Sequence, residues 1–124
     1  MKPQPADECL AIERRPDAVV ARFTREVILS GQFAAFVGEP LIALVGEVGQ
    51  RPLLIDFGNV RSLSSLMLGK LTELARAANS AAVRLALFNL RPDVREILEV
   101  TGLHVLLCLY GSESEALQGP RPGR

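Results

Sequence analysis

The sequence predicts an α/β fold: a mixed, mostly parallel sheet that opens with an N-terminal β-hairpin and is covered by about four helices. Three observations lead there. Two β-rich runs, Glu8 to Arg14 and Ala18 to Thr24, are separated by Arg15-Pro16-Asp17, a hairpin signal. Three short apolar runs follow, at Leu53 to Phe57, Val83 to Phe88 and Val105 to Tyr110. Unbroken apolarity of that length suits strands covered on both faces. Segments with apolar residues at helical spacing lie between and after them. The order β-β-α-β-α-β-α-β-α implies parallel pairing, with the hairpin supplying the antiparallel element.

Each element has a local reason. In the second run Val19, Ala21 and Phe23 alternate with Val20, Arg22 and Thr24, as in a partly covered strand. Within the segment Glu26 to Gly49 a helix is expected after Ile28 and Leu29, with Ser30 as N-cap and Ala34, Val37, Leu41, Leu44, Val45 and Val48 facing the sheet. Pro40 falls inside it and should kink or split it, and Gly49 suits its end. The helix after Ser65 places Met67, Leu68, Leu71, Leu74, Ala75 and Ala78 on one face, and Leu66, Gly69, Glu73 and Arg76 on the other. Pro92 fits the first turn of the next helix, and Gly102 its C-terminal end. A short last helix follows Gly111, capped by Ser112 or Ser114. The expected layout is a frayed segment over 1–7, one domain over 8–118 and a flexible tail over 119–124.

Composition narrows the function. A hydrophobic fraction of 48% supports a packed core. Fourteen basic and fourteen acidic residues cancel, unlike the basic excess of a non-specific nucleic-acid binder. No apolar run approaches the roughly 18 residues of a membrane span. The start, MKPQPADE, lacks the apolar centre of a signal peptide, so the chain reads as soluble and cytoplasmic. Cys9 and Cys108, outside any CxxC pair and in apolar surroundings, read as buried free thiols. His104 is the only histidine and has no companions for a zinc site. No GxSxG elbow, P-loop or kinase signature occurs, so neither an enzyme nor a cofactor is expected.

The stretch PLLIDFGNVRSLSSLMLGKL, from Pro52 to Leu71, concentrates the chemistry. A strand ends at Asp56, and Gly58 and Asn59 suit a tight turn with positive φ. Val60 and Leu63 re-anchor the chain, and Ser64 and Ser65 stand where a helix begins, with Ser64 read as its N-cap. Free N–H groups and the positive end of the helix dipole would stabilise an anion, such as a phosphate, attached there. Asp56 either orients this loop or pairs with a partner cation. Asn89, Arg91 and Asp93 follow a later strand and emerge at the same carboxyl end of the sheet, with Asp93 read as a helix cap.

These residues resemble the STAS domain, shared by anti-sigma factor antagonists and the cytoplasmic tails of sulfate transporters. Ile55-Asp56-Phe57-Gly58-Asn59-Val60 matches the family's strand and turn, Leu63 the apolar residue before its serine motif, and Leu68-Gly69 the aliphatic and small residues of its helix. LALFNLRPDVREILEVTGL resembles its fourth strand and following helix. The resemblance spans Glu8 to Leu117 and places Ser65 on the phospho-acceptor serine, with Ser64 as alternative acceptor. It departs in two places: Ser64 stands where Asp is usual, and Leu66-Met67 replace a small residue and Gly.

The resemblance implies an anti-sigma factor antagonist whose partner is an anti-sigma factor serine kinase of the histidine-kinase-like ATPase type. Binding would involve Asp56, Asn59, Ser64, Ser65, Leu66, Gly69, Glu73 and Arg76 and be switched off by phosphorylation, with no enzyme activity, metal or direct nucleic-acid contact. The alternatives are a phosphorylation-independent STAS adaptor in a signalling assembly and a domain binding a small ligand or nucleotide.

Overall fold

The computed structural model describes residues 10–119, apart from the side chains at positions 31–33 and 35. The segment 1–7, Cys9 and most of the expected tail lie outside the described residues. The elements are β1 (Leu10–Arg14), β2 (Val19–Phe23), β3 (Val27–Leu29), α1 (Gly31–Leu44), β4 (Leu53–Asp56), β5 (Val60–Leu63), α2 (Ser65–Ser80), β6 (Leu85–Phe88), α3 (Pro92–Val100), β7 (Cys108–Tyr110) and α4 (Glu113–Gln118). The main sheet runs β1-β2-β4-β6-β7, and β3 and β5 form a separate two-stranded sheet.

The hairpin pairs β1 with β2 antiparallel, Leu10 opposite Phe23 and Arg14 opposite Val19. Every other pairing in the main sheet is parallel: Val19 to Leu53, Leu53 to Leu85, and Ala86 to Cys108. This is the mixed, mostly parallel sheet that the sequence predicts.

Alternation along the strands sorts the sheet into two faces. One carries Val19, Ala21, Leu53, Ile55, Leu85 and Leu87, and packs with Leu41, Leu71 and Leu98 of the three longer helices in the larger core. The other carries Val20, Leu54, Ala86, Phe88 and Tyr110, and meets Ala116 of α4. The central strands are therefore apolar on both sides, which is why they read as continuous runs.

Several expectations need correction. Helix α1 continues through Pro40 without splitting, and ends at Leu44 rather than near Gly49. Gly49 sits in the following turn at φ +66°. Ser30 occupies the N-cap position, yet its side chain makes no capping bond. The last strand is shorter than Val105 to Tyr110, because Leu103–Val105 form a 3₁₀ turn. Leu103 and Leu107 are buried there while Val105 and Leu106 are exposed, so burial follows a helical turn rather than strand alternation. Cys108 is exposed, not buried, because β7 is an edge strand. Strands β3 and β5 were not predicted: three or four residues are too few to show a period of two.

Helix ends follow known chemistry. Gly102 adopts φ +80° just after α3, as expected of a glycine there. Helix α2 closes with the Val83 N–H donating to the Ala78 carbonyl and the Ala82 N–H to the Asn79 carbonyl, at 2.8 and 3.2 Å. That is a Schellman motif, with Ala82 at φ +56° where glycine is usual.

Candidate functional site

Phe57 continues the line of β4: its N–H donates to the Phe88 carbonyl at 2.9 Å. Its ring is fully buried and meets Phe23 edge-on, centroids 6.1 Å apart. That anchor fixes the start of the turn. The Asp56 Oδ1 accepts from the Gly58 N–H at 2.8 Å, a side-chain-closed turn, and from the Asn89 amide at 3.4 Å. The Asn59 amide donates to the Phe23 carbonyl at 2.7 Å, tying the turn to the end of β2. The Val60 N–H then returns to the Phe57 carbonyl at 3.0 Å.

Neither Gly58 nor Asn59 has positive φ, contrary to expectation; among the non-glycine residues described, Asn89 (φ +63°) and Ala82 do. Glycine at 58 answers to space instead. A Cβ there would lie 3.1 Å from Asp56 Oδ1 and 3.6 Å from the Asn89 Cβ.

The two serines divide the work at the start of α2. Ser64 is the N-cap, extended at φ −94° and ψ 169°, and its hydroxyl accepts from the Met67 N–H at 3.3 Å. Such a cap is worth about 1 kcal/mol. Its own N–H donates to the Leu29 carbonyl at 2.9 Å, which pins the helix start to β3. Ser65 is the first helical residue and is exposed. Among the described residues its hydroxyl has no hydrogen-bond partner. No acidic residue stands in the first turn.

Leu66, Gly69, Glu73 and Arg76 are all exposed along α2, opposite the buried Met67, Leu71, Leu74, Ala75 and Ala78. Leu66 is 47% exposed. No described group comes within 4 Å of a Cβ at Gly69, so packing against a neighbouring loop does not explain that glycine. Glu73 pairs with Lys70 at 3.5 Å, and Lys70 also reaches Glu39 of α1 at 2.6 Å.

Apart from Asn59, which is tied to the Phe23 carbonyl, the predicted residues fall into two groups. Ser64, Ser65, Leu66, Gly69, Glu73 and Arg76 share one region of α2. Asp56 belongs to the opposite face of the sheet, in register with Arg22. There it joins an ion network that the sequence reading missed. Arg22 donates to Asp56 Oδ2 at 3.2 Å, to Glu13 at 3.3 Å and to Glu113 of α4 at 2.8 Å. Arg15 meets the other Glu113 oxygen at 3.1 Å. Arg22 showed in the sequence only as an outward residue of a strand, and its partners depend on register and on where α4 docks.

Asn89 joins this group through Asp56, whereas Arg91 pairs with Glu26 at 3.0 Å. Arg91 is the N-cap of α3, and Asp93 in the first turn accepts from the Val94 N–H at 3.0 Å.

Charge leaves a signature on the network. Hydrogen bonding to Glu113 raises the Arg22 guanidinium above its ordinary range. For Glu113, burial is the largest single influence and pushes its carboxyl up. The hydrogen bonds and charges of Arg22 and Arg15 together outweigh it, leaving Glu113 below its ordinary 4.5. The folded state therefore holds that proton less tightly than the unfolded chain. Its stabilisation is present above pH 4.5 and is lost as pH falls through the lowered value. Denaturant unfolding between neutral and acid pH should show a loss of stability that is smaller in Glu113→Gln. Equal losses in both proteins would mean that the pair contributes nothing.

A cavity of about 210 Å³ lies elsewhere, between β1 and α1, lined by Leu10, Ile12, Pro40, Ala43 and Leu44, with Arg14 and Glu47 at its rim. Those two pair at 3.0 Å. No group of three or more metal-ligating side chains is assembled among the described residues, and none of their helices is long and apolar enough to cross a membrane.

The sequence comparison supplies the family. The STAS domain profile matches residues 10–116, and the chain belongs to that family. No curated protein matches at the sequence level. Among solved structures, an anti-sigma-factor antagonist (STAS) domain protein from Planctomyces limnophilus is 19% identical with a TM-score of 0.75, covering 88% of this chain and 94% of its own. An anti-sigma factor antagonist from Mycobacterium paratuberculosis is 20% identical with a TM-score of 0.75, over 88% of this chain and 90% of its own. The phosphorylated form of the Bacillus cell fate determinant SpoIIAA is 18% identical with a TM-score of 0.64, over 88% of this chain and 96% of its own. At these identities the likeness establishes the fold.

Proposed function

We propose that this STAS domain is an anti-sigma factor antagonist. It binds an anti-sigma factor that is also a serine kinase, through Ser65 and the exposed face of α2, and so releases a sigma factor. Phosphorylation of Ser65 by that kinase ends the complex. The phosphotransfer chemistry belongs to the partner, a histidine-kinase-like ATPase, and both act in the cytoplasm.

The observation that carries this reading is the division of labour between the serines. Ser64 supplies the cap, so the neighbouring Ser65 hydroxyl stays exposed at a helix N-terminus where added negative charge is tolerated. A phosphate adds about −1.5 to −2 charges at neutral pH. The fold can hold that charge, while a partner surface packed against Leu66 and Gly69 would meet it without water.

The test is phosphorylation by the cognate kinase with ATP, read by intact mass and site mapping. One phosphate on Ser65, absent from Ser65→Ala, is expected, and Ser65→Asp should bind the kinase about 5- to 150-fold more weakly than Ser65→Ala. No mass gain, or equal binding of both variants, would sink the switch. The absence of an acidic residue in the first turn and the exposed Leu66 favour a second reading, a phosphorylation-independent adaptor. It predicts binding without any mass gain.

A further inference from the structure

Helix α4 is six residues long, at most half of the about 12–15 residues at which isolated helices become even marginal in water. Among the described residues it is the one helix on the second sheet face. Its apolar hold is small: Ala116 is buried and Leu117 partly so. What fixes it is polar and acts at both ends. At its start, Glu113 takes Arg22 on one oxygen and Arg15 on the other, at 2.8 and 3.1 Å. At its end, Arg84 donates to the carbonyls of Ala116 and Leu117 at 2.7 and 3.3 Å.

The first of these fastenings is shared. The guanidinium that holds Glu113 also holds Asp56, and the other Asp56 oxygen closes the turn through the Gly58 N–H. One planar cation thus bridges α4 and the turn that leads into β5 and α2. If Asp56 reorients, Arg22 loses one of the carboxylates that orient it toward Glu113. If α4 lifts, Arg22 is free to move off Asp56.

We propose that α4 is a releasable strap, and that its docking is coupled through Arg22 to the conformation of the 57–59 turn. Whatever stabilises an altered turn loosens α4 and uncovers Val20, Leu54, Phe88 and Tyr110 beneath it. Anything that draws α4 away loosens the turn by the same factor, since such coupling is reciprocal.

Amide hydrogen exchange by NMR on the full chain tests this, in wild type, Glu113→Gln, Asp56→Asn and Arg22→Lys. The reporters are the Ala116 N–H, bonded to the Ser112 carbonyl, and the Val60 N–H, bonded to the Phe57 carbonyl. The α2 amides serve as the measure of global opening. Relative to α2, each of Glu113→Gln and Asp56→Asn should speed both reporters about fivefold or more. Arg22→Lys should do the same, because an ammonium has no fork to hold two carboxylates. If Glu113→Gln speeds Ala116 alone, or Asp56→Asn speeds Val60 alone, the coupling is wrong. If neither reporter opens more readily relative to α2 in any variant, α4 is not a separate unit and the strap is wrong.

Discussion

Truncating Phe57 to alanine is expected to lower the free energy of unfolding by about 3–5 kcal/mol. The ring is fully buried and makes its edge-on contact with Phe23, so its removal opens a cavity between β2 and the turn. Domains of this kind are stable by only about 5–15 kcal/mol, so the loss is a large fraction of the total. Denaturant unfolding measures it directly. Because Phe57 is next to Asp56, the variant should also loosen the Gly58–Asn59 turn. A loss near or below 1 kcal/mol would show that the site collapses around the hole and that Phe57 is not the anchor of the turn.

Replacing Gly38 with leucine is expected to cost about 1–3 kcal/mol. Gly38 lies in α1, where a glycine is about 1 kcal/mol worse than alanine in helix propensity alone. Packing explains why it is there. A Cβ on residue 38 would come within 2.9 Å of Cβ, Cγ and Cδ of Lys70 on α2. The Lys70 Cβ is fixed by the helix backbone and cannot swing away, so α1 and α2 must part. Their separation would also lengthen the Lys70–Glu39 contact of 2.6 Å. Thermal unfolding of Gly38→Leu against wild type reads the effect. An unchanged or raised midpoint would mean that α1 shifts without cost and that the propensity gain dominates.

The fold was largely legible because its strong signals are local. Runs such as Leu53 to Phe57 are apolar on both faces, and α2 carries a clear buried stripe. Proline at the start of α3 and glycine after its end marked that helix. What was hidden depends on distance in the chain. The pairing of β3 with β5 joins two segments too short to show a pattern. The role of Gly38 is set by a lysine on another helix. The candidate site was legible at Ser64, where capping is a local matter. Asp56 was correctly placed at the end of a strand, but its commitment to Arg22 and Glu113 needs the register of β2 on β4 and the docking of α4. Gly58 and Asn59 lack the expected positive φ: the turn is instead held by the bond from the Gly58 N–H to the Asp56 carboxylate.

The order of the sheet has a consequence for how the chain comes together. The hairpin partners Arg14 and Val19 are near neighbours in sequence, so β1 and β2 can meet early. Val19 must next find Leu53, and Leu53 must find Leu85, each across a whole helix. Closing such intervals is entropically unfavourable before any contact compensates, and topology of this kind slows folding relative to helical bundles of the same size. Strand β4, which carries Asp56 at its end, can be walled in on both sides only after β6 arrives. The bonding of the turn that follows it is complete only with β6 in place, since its Phe57 N–H and Asp56 carboxylate bond to Phe88 and Asn89.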